Sequence, residues 1–220
     1  MTTPAKQLQQ RIKSREATVG VVGLGYVGLP LSIGFARAGF PVLGFDTDSR
    51  RVAQVNDGEQ VIRHIPRKAM RELAQGGEAT ADFARLGEAD AVLICVPTPL
   101  DQHHQPDMSY VEAAADAIAA TLRKGQLVVL ESTTWPGTTR ELLLPRLEVS
   151  GLRAGEDFFL AYSPEREDPG NTNYGMGDIP KVVGGHTDAC RDVAVALYES
   201  VVPRTIPVSS PETAEATKLM

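Results

Sequence analysis

The chain has 220 residues, 42% hydrophobic and 23% charged, the balance of an ordinary globular protein with room for one large domain or one domain and part of another. Its net charge of −6 is spread along the chain, which argues against nucleic acid or an anionic membrane surface as partner, since both need a basic face. No apolar run is long enough to span a bilayer, no secretory segment follows Met1, and the two cysteines, Cys95 and Cys190, make neither a disulfide framework nor a metal site, so the cytoplasm is the default location.

Residues 1–16 are polar and read as a frayed tail or a short surface helix. The core is expected to begin at Ala17. Val19 to Val22 is short, apolar and mostly β-branched, as a buried strand should be. Gly23, Gly25 and Gly28 follow as a G-x-G-x-x-G, with Tyr26 and Val27 inside it. Its glycines allow the tight turn, the backbone's approach to a pyrophosphate and close helix–strand packing, and the helix that follows points its free N–H groups at the phosphates. That helix is expected over Tyr26 to Ala38 and is stopped by Gly39. Pro41 to Phe45 reads as the next strand. Asp46 closes it, eighteen residues past Gly28, where a carboxylate can accept both ribose hydroxyls. The motif is weak alone and strong in this strand–helix–strand–acid setting.

Asp48 or Ser49 caps a helix reaching Asn56 or Gly58, and Arg51 on it faces either the adenosine side of that site or solvent. A loop leads to a helix over Arg67 to Gln75, ended by Gly76 and Gly77, and Glu78 to Asp82 is a weak strand. Ala91 to Val96 is a clear buried strand. Pro97-Thr98-Pro99 gives it a rigid, extended exit at the edge where open α/β sheets bind ligands, so Thr98 reads either as a cofactor contact or as a turn residue. His103 and His104 lack a third ligand at sensible spacing and read as a surface loop; no metal is expected. Ser109 is expected to cap a helix to Leu122, with Glu112 completing a capping box. Gln126 to Glu131 is the next strand, closing in Ser132-Thr133-Thr134. After Trp135-Pro136-Gly137 a helix over Thr138 to Glu148 should kink or break at Pro145.

Phe158 to Tyr162 is a further strand followed by Ser163-Pro164-Glu165-Arg166, and Asn171 to Asp178 reads as a loop. Lys181 to Gly185 is a short strand and turn, Asp188 to Ser200 an amphipathic helix, and Thr205 to Val208 a last strand. Ser210-Pro211-Glu212 opens a helix that meets Met220 without a C-cap, the expected mark of a chain cut inside an element. Strands alternating with helices imply an α/β doubly wound parallel sheet, a Rossmann domain over 17–210 with one or two extra strands, and the start of a linking helix at 211–220.

Gly-Leu-Gly-Tyr-Val-Gly, Val-Pro-Thr-Pro, Glu-Ser-Thr, Ser-Pro-Glu-Arg and Ala-Glu-Ala-Thr-Lys, in that order, resemble the UDP-glucose/GDP-mannose dehydrogenase family. These enzymes oxidise C6 of a nucleotide sugar from alcohol to carboxylate with two NAD. The stretches from Ala161 to Asn171 and from Ile179 to Thr187 look more like the UDP-N-acetylglucosamine 6-dehydrogenases, because Arg166 and Pro169 stand where the UDP-glucose branch carries an aromatic residue and a second glutamate. Whether Glu167 or Asp168 takes over part of that glutamate's role stays open.

The resemblance implies that Gly23, Gly25 and Gly28 cradle the pyrophosphate of NAD and that Asp46 holds the adenosine ribose with Arg51 beside it. It implies that Pro97, Thr98 and Thr133 border the cofactor, that Thr133 and Glu165 flank the water of a hydrolytic step, and that Lys218 stabilises the developing oxyanion. Taken alone, Glu165 is an ordinary strand-end acid and Lys218 an ordinary helix lysine. The family's nucleophilic cysteine, most of its UDP-sugar contacts and most of its dimer-forming central helix are expected beyond Met220, so this chain by itself is expected to bind NAD without turnover. Cys95, within a buried strand, and Cys190, near a helix start, do not fit that nucleophile's motif. Two alternatives remain at this point: a β-hydroxyacid dehydrogenase relative, and a non-catalytic NAD-sensing module.

Overall fold

The computed structural model describes residues 3–100, 102, 105–165 and 180–218. Eight strands form one sheet: β1 (Val19–Val22), β2 (Val42–Phe45), β3 (Gly77–Thr80), β4 (Ala91–Ile94), β5 (Leu127–Leu130), β6 (Phe159–Tyr162), β7 (Lys181–Gly185) and β8 (Thr205–Val208). Their order across the sheet is β3-β2-β1-β4-β5-β6-β7-β8. The first six strands run parallel, with Val19 in register with Val42 on one side and Ala91 on the other. Strand residues alternate between two cores, as a period of two requires. Val19, Val21, Leu93, Val129 and Ala161 face one; Val22, Val92, Ile94, Val128 and Leu160 face the other. Burial on both faces explains why these strands read as continuous apolar runs.

The first core is covered by α1 (Pro4–Lys13), α2 (Gly28–Arg37), α4 (Arg67–Gly76) and α7 (Asp188–Tyr198), with Val55 of α3 (Ser49–Asn56) reaching in from the edge. The second is covered by α5 (Ser109–Ala119), α6 (Leu144–Glu148) and α8 (Pro211–Ala216). The amino-terminal segment is the helix α1, and it buries Leu8 and Ile12 in the first core.

Four local expectations are corrected. The sheet is not wholly parallel: β7 runs antiparallel to β6, pairing Ala161 with Gly185 and Tyr162 with Gly184. The chain therefore enters β7 at the carboxyl edge of the sheet, where Lys181 begins the strand. The strand expected over Glu78 to Asp82 is β3 over Gly77–Thr80, opening at the residue that caps α4. Ser109 is the first helical residue of α5 rather than its cap, and the Asp107 carboxylate accepts its N–H at 2.9 Å. The helix does not break at Pro145: Thr139–Leu143 is one π-helical turn that runs into α6. Proline offers no N–H to the preceding turn, and a π turn absorbs that lost bond by shifting the register by one residue. His103, His104 and the 166–179 segment, including the Asn171 to Asp178 loop, lie outside the described residues.

The amino edge of the sheet is tied by one buried acid. Asp90 is 2% exposed and precedes β4. One of its oxygens accepts from Arg11 at 2.5 Å and Arg123 at 2.7 Å, and the other from the Thr18 N–H at 2.8 Å. It thus joins α1, β1, β4 and the turn after α5. Asp90→Ala should cost about 2–4 kcal/mol in a denaturant titration, because two guanidinium groups and one amide lose their acceptor. Arg11→Ala, at a half-exposed position, should cost about 1 kcal/mol or less.

Candidate functional site

The carboxyl ends of the parallel strands frame a cleft of about 690 Å³. Its floor is the glycine turn. Gly23 sits at φ +94°, and a Cβ there would lie 2.8 Å from the Cys95 carbonyl oxygen. A Cβ on Gly28 would lie 1.9 Å from the Gly23 carbonyl oxygen, so the start of α2 can rest on the turn only with glycine at this position. Gly25 differs: a Cβ there meets no protein atom within 4 Å, and the residue lines the cleft. Its missing side chain serves access rather than packing, the requirement of a backbone that must approach a phosphate group. Tyr26 is exposed and stacks on His64, and Val27 lines the cleft beside it.

Asp46 stands at the end of β2, and each of its oxygens accepts a backbone N–H, Leu24 at 3.0 Å and Asp48 at 2.9 Å. A carboxylate oxygen has a second lone pair, so both oxygens can still accept from a vicinal diol. Asp48 in turn caps α3 by accepting the Arg50 N–H at 3.0 Å. Arg51 is not a solvated surface group. It lines the cleft, is partly buried, and donates to the Leu24 carbonyl at 2.9 Å. Asp46 and Arg51 thus grip opposite polar atoms of Leu24, inside the glycine motif.

On the other wall, Pro97 and Thr98 leave β4 while Ser132 and Thr133 leave β5. The Thr98 hydroxyl donates to the Thr133 carbonyl at 2.9 Å and the Ser132 hydroxyl to the Val96 carbonyl at 2.7 Å, so the two strand exits move as one edge. Glu165, beyond β6, and Lys218, beyond α8, line this end of the cleft. The Lys218 ammonium donates to the Glu165 backbone carbonyl. All the expected site residues from Gly23 to Lys218 therefore border one cleft, except Gly28, which lies beneath the turn.

Behind Glu165 lies a group of charges that the sequence reading passed over. The Lys181 ammonium donates to Glu131 at 2.5 Å and to Glu165 at 3.1 Å, and the Tyr198 hydroxyl donates to the second Glu131 oxygen. Burial pushes the Glu131 carboxyl up from its ordinary range, against the pull of Lys181. Burial also works against the Lys181 charge, but Glu131 and Glu165 outweigh it and hold the ammonium above its usual value. The one local signal was a charged residue at each end of an apolar run, Glu131 after Leu-Val-Val-Leu and Lys181 before Val-Val. Glu215 was also missed as an anchor. It is buried, and it accepts from the Gly137 and Thr139 N–H groups at 2.5 and 2.8 Å and from the Thr139 hydroxyl at 2.6 Å. A carboxylate at the positive end of a helix is stabilised there, and this contact fixes α8, which delivers Lys218.

Neither cysteine is presented as a nucleophile. Cys190 is fully buried, and its sulfur accepts the Leu160 N–H at 3.3 Å. Cys95 is buried at the edge of the cleft, and burial followed by the Glu131 charge pushes its thiol well up, which keeps it protonated. Among the described residues no group of three or more histidine, cysteine, aspartate or glutamate side chains is placed to hold a metal, and no helix is long and apolar enough to cross a membrane. Arg166, Glu167, Asp168 and Pro169 lie outside the described residues.

A doubly wound sheet with a glycine turn under a helix start and an acid at the end of the second strand defines a Rossmann dinucleotide-binding domain. The chain belongs to the UDP-glucose/GDP-mannose dehydrogenase family, and residues 17–202 match the model of that family's NAD binding domain. It is 37% identical over 208 residues to a UDP-N-acetyl-D-glucosamine 6-dehydrogenase of Pseudomonas aeruginosa, a match covering 94% of this chain and 49% of that protein. It is 39% identical over 211 residues to a UDP-N-acetyl-D-mannosamine dehydrogenase of Salmonella typhi, covering 92% and 50%. Among solved structures, an NDP-N-acetyl-D-galactosaminuronic acid dehydrogenase from Methanosarcina mazei Go1 superposes with a TM-score of 0.87 at 34% identity, over 99% of this chain and 49% of that one. The chain spans about half the length of the curated relatives it matches. Membership of this family sets aside the β-hydroxyacid dehydrogenase alternative.

The glycines separate access from packing experimentally. Gly25→Ala should leave the unfolding free energy within about 1 kcal/mol of the parent while weakening NAD binding at least tenfold, roughly 1.4 kcal/mol. Gly28→Ala should cost about 3 kcal/mol of stability, because its methyl group meets backbone rather than a movable side chain. Calorimetric melting and NAD titration of both variants check the contrast.

Proposed function

We propose that this chain is the NAD-binding half of a nucleotide-sugar 6-dehydrogenase that oxidises C6 of UDP-N-acetylglucosamine, or of a related UDP-N-acetylhexosamine, to the carboxylate. The observation that carries the reading is the convergence of Glu165 and Lys218, 53 residues apart, on the Thr133 end of the glycine-turn cleft. An acid and an ammonium side by side have no use in a plain dinucleotide-binding module, whereas an oxidation that ends in hydrolysis needs both. For that reason a non-catalytic NAD-sensing module is the weaker reading. The preference for an N-acetylated sugar rests on Arg166 and Pro169 in the sequence and on the relatives named above.

The residues have distinct tasks. The glycine turn and the positive end of α2 face the pyrophosphate. Asp46 accepts the adenosine ribose hydroxyls, with Arg51 bracing the turn beneath it. Thr98 and Thr133 hold the nicotinamide edge. When bound, NAD supplies hydride acceptance. Glu165 and Thr133 orient a water and take its proton. The Lys218 ammonium stabilises negative charge developing on the sugar oxygen. The nucleophilic cysteine of the resembling enzymes has no counterpart in the cleft, since Cys95 is buried and protonated. The 220-residue chain is accordingly assigned NAD binding without turnover, with catalysis belonging to a longer protein that acts as a homodimer. Both cysteines are unpaired, which suits a reducing compartment such as the cytoplasm.

The test is a coupled measurement. The longer protein should form two NADH per UDP-N-acetylglucosamine, while the 220-residue chain binds NAD and forms none. Glu165→Gln and Lys218→Met in the longer protein should each lower kcat by about 10²–10⁴-fold with little change in NAD affinity. Wild-type turnover by either variant would remove that residue from the chemistry.

A further inference from the structure

We propose that Lys181 is a positioning residue for Glu165: by sharing one buried positive charge between Glu165 and Glu131, it keeps the Glu165 carboxylate ionised and fixes it at the Thr133 end of the cleft. This inference rests on the assignment of Glu165 to the chemistry. It adds a residue, on a strand outside the dinucleotide-binding core, that sets the protonation state of the acid.

The geometry argues for a tuned site rather than a structural pin. Lys181 is 7% exposed, Glu131 1% and Glu165 7%. Two acids share one ammonium, and a simple anchor for β7 would need only one. Nor is a buried ion pair an efficient source of stability, since apolar side chains of the same volume often do as well. The cluster also opens on the cleft, because both Glu131 and Glu165 line it. Lys181 is held from three sides. Glu131 accepts at 2.5 Å, Glu165 at 3.1 Å, and the Tyr198 ring centroid lies 5.0 Å from the ammonium. Tyr198 also holds Glu131 through its hydroxyl, so the lysine has a fixed position from which to reach Glu165.

Among the described residues, charged and titratable groups face Glu165 from several elements. Glu131 projects from the end of β5, Cys95 from the end of β4, Lys181 from β7 and Tyr198 from α7, and Lys218 meets the Glu165 backbone from beyond α8. Burial and the Glu131 charge push both the Cys95 thiol and the Tyr198 hydroxyl well up, so among the described residues named here the charged groups are the two acids and the two lysines. Without Lys181, Glu131 and Glu165 become two carboxylates sharing a buried site, the situation in which the pair takes up a proton. A protonated Glu165 cannot act as a base.

The test is a titration of the 220-residue chain carrying ¹³C-labelled glutamate, with the Glu131 and Glu165 carboxyl signals assigned through E131Q and E165Q. In the wild type the Glu165 signal should stay that of a carboxylate from about pH 8 down to about pH 5. In Lys181→Met the acid pair should take up one proton with a midpoint about 1–3 pH units higher, and Lys181→Arg should restore the wild-type behaviour. Amide spectra establish that each variant is folded, and Lys181→Gln replaces the methionine variant if that one is not. A wild-type Glu165 that titrates near neutrality, or a midpoint unmoved in a folded lysine variant, overturns the proposal. In the longer enzyme the acid limb of the kcat/KM profile should move upward by the same amount in Lys181→Met. An active Glu165→Gln enzyme would defeat the catalytic reading itself, whereas an inactive one with an unmoved Lys181→Met profile would defeat only the role given to Lys181.

Discussion

The contact between Gly28 and the carbonyl of Gly23 is the constraint on which the site depends. A single added methyl group would overlap that oxygen, so the first turn of α2 lies directly on the end of β1. This seating sets the positive end of α2 at the carboxyl edge of the sheet, beside the glycine turn. Asp46 and Arg51 then hold the turn through the two polar atoms of Leu24. Asp46, Arg51 and the glycine turn are therefore one mechanical unit.

The two strands added after β6 extend this edge beyond the glycine turn. Because β7 returns antiparallel, its first residue, Lys181, stands beside the last residues of β5 and β6. A parallel β7 would have put that ammonium at the opposite edge. After β8 the chain doubles back in α8, and Glu215 locks that helix to the turn at Gly137 without a cationic partner among the described residues, using the end of the following helix as its counter-charge. Lys218 reaches the Glu165 carbonyl as a consequence. Antiparallel return, helix anchor and lysine placement form one chain of causes.

The nucleotide half of the cleft was legible in the sequence because each of its signals is local. A glycine triplet, a β-branched run before it and an acid closing the next strand all lie within 28 residues of Val19. Strand positions were equally legible, since strands buried on both faces are short apolar runs. The direction of β7 was not legible: Lys-Val-Val-Gly-Gly is compatible with either orientation, and no local signal selects between them. The Lys181–Glu131 pair spans 50 residues, and no periodicity reports a pairing of that range. Arg51 was undecided between solvent and site because its fate depends on the Leu24 carbonyl, 27 residues away. The cap of α5 was misplaced by one residue: Met108 holds the cap position, and Asp107 before it supplies the side-chain acceptor that Ser109 was expected to be.

The central claim is that the glycine turn and Asp46 together bind NAD, with the acid facing the adenosine ribose. A calorimetric titration of the 220-residue chain with NAD and with NADP tests it most directly. A 2′-phosphate beside the Asp46 carboxylate meets a like charge, at a cost of about 1.4 kcal/mol or more. The account predicts that NAD binds with one site per chain, that NADP binds at least tenfold more weakly, and that Asp46→Asn narrows the difference. NADP binding as tight as NAD would contradict it, as would an unchanged preference in Asp46→Asn.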